Sequence, residues 1–258
     1  MKKIIAFLLV LTIMASFAVV PVSAADARIE YCEYCQKEVE WTAWTTAGQK
    51  TLKAVETGHY YLAEDIFGSA QKIAMGTVCL DLNGYTIQSN QRALLSSGAQ
   101  YAEGTPIINV MDSKGGGYVI SEGGTNNPAG GTVVVSYGGV FNLYSGTLQY
   151  ITTDASVTTL GGVVRVYHGD SVFNMWGGCV DGSKCQLVKD TNNLVSGTMD
   201  GCGAAIEVDG ACTLNLRGGK VIAGKAESEA GRGDCVFVGG TTDKVIIAKD
   251  AQIDDIWF

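Results

Sequence analysis

One short phrase returns along the chain and limits what it can fold into. An apolar, a polar and an apolar residue are followed by a glycine-containing turn and a second short apolar run. Leu80-Asp81-Leu82-Asn83-Gly84-Tyr85-Thr86-Ile87 is the first copy and Ile108-Asn109-Val110-Met111-Asp112 a weaker second. Phe141-Asn142-Leu143-Tyr144-Ser145-Gly146-Thr147-Leu148, Phe173-Asn174-Met175-Trp176-Gly177-Gly178-Cys179-Val180 and Leu214-Asn215-Leu216-Arg217-Gly218-Gly219-Lys220-Val221 follow, and Val245-Ile246-Ile247 closes the series. With the second apolar residue as marker (82, 110, 143, 175, 216, 247), the steps are 28, 33, 32, 41 and 31 residues. An uneven period near thirty describes stacked units with loop insertions of variable length.

A further strand pattern precedes each later copy: Val133-Val134-Val135, Val164-Arg165-Val166, Ile206-Glu207-Val208 and Val236-Phe237-Val238. The apolar residues alternate, which is strand rather than helical periodicity. Gly130-Gly131, Gly161-Gly162 and Gly177-Gly178 fall where the backbone must turn sharply. Nothing after residue 78 keeps a helical spacing. About three short strands per repeat, with glycine corners, predict an all-β parallel solenoid of about six coils, each burying its apolar face against the next. The 258 residues, 47% hydrophobic and 17% charged, suffice for one sizeable core and exclude a disordered chain. A net charge of −8, from 18 basic and 26 acidic residues, argues against a nucleic-acid partner.

The phrases LDLNGYTI, GGVFNLYSGTL, SVFNMWGGCV and TLNLRGGKV resemble those of the secreted bacterial right-handed parallel β-helix proteins of the pectin-lyase-like superfamily. The resemblance spans roughly residues 58 to 256. It implies a right-handed β-helix and is unspecific for activity, because that superfamily holds polysaccharide lyases, glycoside hydrolases, adhesins and non-catalytic surface proteins.

Alternation places Phe141 and Leu143 inside such a coil and Asn142 and Tyr144 outside. Stacking the copies predicts an outward ladder of Asn109, Asn142, Asn174 and Asn215, with Tyr144, Trp176 and Arg217 beside it. Coils about 4.8 Å apart bring Tyr144 and Trp176 into one aromatic surface. Aromatic rings cover the apolar face of a sugar while amides bond its hydroxyls. Tyr144, Trp176, Asn142, Asn174 and Arg217 are therefore the candidate residues for a polysaccharide or cell-surface glycan; the alternative is a ladder that only stabilises the sheet. Arg165 and Glu207 are expected as an exposed pair of little energetic weight.

Catalysis finds less support. Glycosidases need two carboxylates flanking the scissile bond, and the outward strand positions carry Asn and aromatic residues instead. Asp112, Asp154, Asp170, Asp181 and Asp200 fall mostly in corners and insertions, and no acid cluster stands beside an Arg as the family's Ca²⁺-dependent lyases require. The expectation is a non-catalytic, adhesin-like binder without a required cofactor, with a polysaccharide lyase or glycosidase as the alternative. The two histidines, His59 and His168, read as structural or solvent-exposed.

Residues 1–24 have the form of a signal peptide: Lys2 and Lys3, an apolar stretch from Ile4 to Val20, and small residues at Val22-Ser23-Ala24. Removing them leaves 16 basic and 26 acidic residues, a net charge of −10. No later segment is apolar for long enough to span a bilayer, so a secreted or cell-surface monomer is expected. Export makes the eight cysteines disulfide candidates first. Cys185 and Cys202 bracket the longest insertion, and a bridge between them would contribute roughly 3 kcal/mol.

Residues 25–57 precede the solenoid domain of 58–258 and form a cap over its open end. Their Cys32-Glu33-Tyr34-Cys35 has three readings. It is a local disulfide, one knuckle of a zinc site, or a redox pair that would want a βαβ context the chain lacks. The disulfide is preferred. The zinc reading needs two more ligands, and His59 or Cys79 would have to be recruited.

Overall fold

The computed structural model describes residues 28–44, 57–68, 71–73, 76–90, 92–98, 104–123, 131–152, 162–187, 204–226, 234–240 and 243–258. The expected signal peptide, Asp154, Asp200 and Cys202 lie outside them.

Every regular element among the described residues is a strand, and the strands form three long sheets and a two-stranded one of Gln186–Leu187 and Lys225–Ala226. The first runs, in spatial order, Arg28–Cys32, Lys37–Trp44, Gly58–Leu62, Thr77–Asp81, Ile107–Met111, Val140–Leu143, Val172–Met175, Thr213–Leu216 and Lys244–Ile247. The second has seven strands, from Ile66–Gly68 to Gln252–Ile253, and the third seven, from Gln71–Ile73 to Ile256–Trp257. Pairing is parallel throughout except between Arg28–Cys32 and Lys37–Trp44, an antiparallel hairpin. From Gly58 onward the chain visits the three sheets in rotation, an arrangement compatible with a β-helix. Seven coils result, against about six expected; the extra one is the first, whose opening strand Gly58–Leu62 carries no recognisable copy of the repeated phrase.

The core is built from the inward rows. In the first sheet Val78, Leu80, Ile108, Val110, Phe141, Leu143, Phe173, Met175, Leu214 and Leu216 are fully buried. Phe141 and Phe173 stack at 5.7 Å with an interplanar angle of 12°. Burying such a side chain stabilises by about 1.5–3 kcal/mol, so the alternating pattern fixes the register. In the second sheet Tyr150 lies against Gly123, where a Cβ would fall 1.4 Å from its hydroxyl. Cys185, Cys212 and Cys235 are buried in the same core among its apolar residues.

Hydrogen-bonding register corrects the alignment read from the sequence. Leu80, not Leu82, stands opposite Val110. The first copy is thus displaced by two residues, and Cys79 takes the place that asparagine holds in the coils that follow. A second correction concerns the third sheet. Arg165 Nε and Glu207 Oε1 are 3.5 Å apart with side chains only 12% and 3% accessible, so the pair is covered rather than exposed. Its row runs Lys72, Leu95, Val134, Arg165, Glu207 and Phe237, so the pair stands between apolar residues on either side. Burial raises the Glu207 carboxyl above its ordinary range despite the nearby guanidinium.

Candidate functional site

The outer face of the first sheet carries two side-chain columns. One runs His59, Cys79, Asn109, Asn142, Asn174, Asn215 and Ile246 in direct register. The other begins Tyr61, Asp81 and Met111. It continues through Tyr144, Trp176 and Arg217, whose backbone N–H groups donate to Val110, Leu143 and Met175 of the preceding coils.

The N-terminal hairpin covers the upper part of both columns. Thr42, Ala43 and Trp44 pair with Tyr60, Tyr61 and Leu62 at the sheet edge, and the rest of the hairpin crosses the outer face. Arg28 Nη2 reaches Asp81 Oδ2 at 2.7 Å and Ser113 Oγ at 3.2 Å, with its guanidinium 4.4 Å above the Tyr61 ring. Trp41 meets His59 edge-on at 5.4 Å and donates from Nε1 to Glu30 O. Cys32, Trp41, Cys79 and Met111 are buried together beneath it, with Cys35, Val39, Tyr61 and Tyr144 packed around them.

The hairpin turn folds as a knuckle. Gln36 N–H donates to Cys32 O at 2.8 Å with Gln36 in the left-handed region, and Cys35 N–H points at Cys32 Sγ at 3.5 Å. That turn delivers both its sulfurs to His59 and Cys79. The four donor atoms lie within 4.8 Å of one another, and Cys35 Sγ is 3.1 Å from His59 Nε2. The Cys79 hydrogen bond pulls the Cys32 thiol down to about 5, against the effect of burial. That same bond and burial push Cys79 up, and burial first, then Cys32, raises Cys35. Three sulfurs this close cannot all ionise without a cation, and three sulfurs with an imidazole are a donor set that could hold one. His59, read from the sequence as structural or exposed, is brought into the cluster, and Cys79 with it. Cys32 and Cys35 stand there as thiols.

Below the cluster the asparagines form one continuous file. Asn142 Nδ2 donates to Asn109 Oδ1 at 2.7 Å, Asn174 Nδ2 to Asn142 Oδ1 at 2.7 Å, and Asn215 Nδ2 to Asn174 Oδ1 at 2.6 Å. At the head, Asn109 Nδ2 reaches Val78 O at 3.3 Å and Cys79 Sγ at 3.5 Å. Asn109 and Asn142 are buried, and Asn174 and Asn215 half-buried. Most of the amide capacity expected to face a ligand is spent inside the protein.

Beside the file, Tyr144 and Trp176 stack at 6.4 Å and 12°, with Trp176 half exposed and Arg217 exposed in the next coil. Burial, then the nearby Tyr34, raises the Tyr144 hydroxyl to about 12, and Tyr144 packs with Cys35 of the hairpin turn around the buried Cys32 and Cys79. A second aromatic corner escaped the sequence reading. His168 lies 4.7 Å from Tyr137 and 4.6 Å from Tyr167; the signal was the adjacent Tyr167-His168, with Tyr137 just past Ser136, the residue paired with Tyr167 in the preceding coil.

Of the candidate carboxylates among the described residues, Asp112 and Asp181 are engaged, and Asp170 is exposed at a corner. Asp112 accepts from Gly84 N–H at 2.8 Å and Gly117 N–H at 2.7 Å, and is buried. Asp181 accepts from Gln149 Nε2 at 2.6 Å and Ser183 N–H at 2.9 Å; burial would raise it, but these bonds leave it below its ordinary range. Cys185 is buried in the core, and its candidate partner Cys202 lies outside the described residues.

No family model, curated protein or solved structure matches the chain. No helix among the described residues is long and apolar enough to cross a membrane.

Proposed function

We propose that this chain is an exported, non-catalytic right-handed β-helix of the pectin-lyase-like type that binds a polysaccharide or cell-surface glycan along the outer face of its first sheet. The observation that carries the reading is the near-parallel stack of Tyr144 and Trp176, with Trp176 half exposed and followed by Arg217. Two parallel rings one coil apart offer an apolar ledge, half open at Trp176, against which a sugar can pack, and the guanidinium supplies donors at its end. Asn142 contributes by holding the ledge, since its amide is committed to the file. Asn174 is only half buried and remains the amide best placed beside the ledge. The non-catalytic part rests on Asp112 and Asp181, whose oxygens cap turns rather than converge on a cleft.

The test is retention of the purified protein on a panel of immobilised polysaccharides. At least one glycan should retain it, and Trp176→Ala should weaken that binding about tenfold or more, corresponding to about 1.4 kcal/mol. Retention unchanged by Trp176→Ala would overturn the ledge, and soluble oligosaccharides released from any polymer would overturn the non-catalytic reading.

A further inference from the structure

We infer that Cys32, Cys35, His59 and Cys79 bind one zinc ion, in a closed site that fastens the N-terminal hairpin across the outer face of the first sheet. This inference stands apart from glycan binding. The four donors come from three separate elements: the hairpin turn, the Gly58–Leu62 strand and the Thr77–Asp81 strand. Local chain geometry cannot have gathered them, since Cys35 and His59 are 24 residues apart and meet at 3.1 Å. Zinc–sulfur bonds near 2.3 Å and zinc–nitrogen bonds near 2.0–2.1 Å place tetrahedral ligands about 3.5–3.8 Å from one another. The cluster, with every donor within 4.8 Å of the rest, needs only small adjustments to meet that.

The donor chemistry selects the ion. Three thiolates and an imidazole suit a soft tetrahedral metal and disfavour calcium or magnesium, which take oxygen ligands. Binding sends the thiol protons to solvent and leaves a centre of net charge −1. The surroundings suit such a centre. Cys35 N–H points at Cys32 Sγ, Asn109 Nδ2 at Cys79 Sγ, and Trp41 packs its edge against the His59 ring. Cys32 and Cys79 are buried. Four protein donors fill a tetrahedron and leave no position for substrate, so the role is structural. A Cys32–Cys35 disulfide would use neither His59 nor Cys79, whereas one ion accounts for all four side chains.

The experiment measures metal on the full purified chain, kept reduced and loaded with zinc before removal of the excess. One zinc per chain is expected. Cobalt in its place should show the absorption of a tetrahedral ion with intense sulfur-to-metal bands. Cys79→Ser should weaken zinc binding by more than roughly a hundredfold and Asn109→Leu by roughly tenfold, while Cys179→Ser, away from the cluster, leaves it unchanged. Should a variant fail to fold, alkylation of the unaltered chain decides. Cys32, Cys35 and Cys79 should be protected with zinc and modified after chelation, as read by peptide mass. Substoichiometric zinc, binding that survives the Cys32→Ser/Cys79→Ser double change, or a Cys32–Cys35 disulfide indifferent to chelator would each overturn the site.

Discussion

At the scale of single residues, two buried polar groups stand in places where hydrophobic burial outweighs hydrogen bonding. The Tyr150 hydroxyl has no partner among the described residues, and burial raises it to about 12. An unsatisfied buried hydroxyl costs about 1–3 kcal/mol, so Tyr150→Phe should stabilise the protein by about 1 kcal/mol in urea denaturation. A loss of stability would mean the hydroxyl is satisfied after all. Glu207 makes a pH prediction. Its folded carboxyl titrates above its ordinary range because burial disfavours the charge. The native state therefore binds more protons than the unfolded one between the two values, and its stability falls as pH rises through that window. Glu207→Gln removes the linkage, so denaturation from pH 4 to 8 should show the variant gaining on the parent as pH increases. The opposite trend would show that Arg165 dominates the site.

Among the elements, the asparagine file is the one whose parts are least separable. Asn142→Leu would leave the Asn109 oxygen and the Asn174 amide group without their partners, at about 2–4 kcal/mol together. Asn215→Leu strands only the Asn174 oxygen and removes an Asn215 oxygen that is itself without a partner, so it should cost under about 1 kcal/mol. Equal losses in thermal denaturation would argue against the file as a cooperative unit. The sequence made the stacked strands legible because Phe141, Leu143, Phe173 and Met175 must alternate to reach one core. It also placed the Tyr144–Trp176 stack, since both lie one residue past equivalent strands. The four-donor cluster was only half legible. Cys32 and Cys35 announce themselves, but aligning Leu82 rather than Leu80 with Val110 shifted the first coil by two residues. That shift left Cys79 out of the asparagine column, and His59 sits in a strand with no repeat phrase to align, so the two could be named only as ligands a zinc site would have to recruit. The burial of Arg165 and Glu207 was not legible either, because two charges in a strand look the same whether or not another segment covers them.

Over the whole molecule, the hairpin is fastened by the Arg28–Asp81 ion pair, by strand pairing through Trp44 and by the four-donor cluster. If zinc binds there, saturation at a thousand times its dissociation constant adds about 4 kcal/mol to the native state. Chelation should then lower the melting temperature and raise hydrogen exchange first in residues 28–44 and the first two coils, leaving the coils around Phe141 and Phe173 protected. Uniform deprotection would show that the hairpin and the stack unfold as one. The asparagine file has a further property. Each amide has a giving end and a receiving end, and four in series must all point the same way to stay bonded. A thiolate at Cys79 can only receive, which compels Asn109 to give, and the instruction passes down the column to Asn215. The Val78 carbonyl, which likewise can only receive, holds Asn109 to the same direction. A direction fixed by two acceptors at the head of the column is therefore carried to an amide about 19 Å away, four strands down.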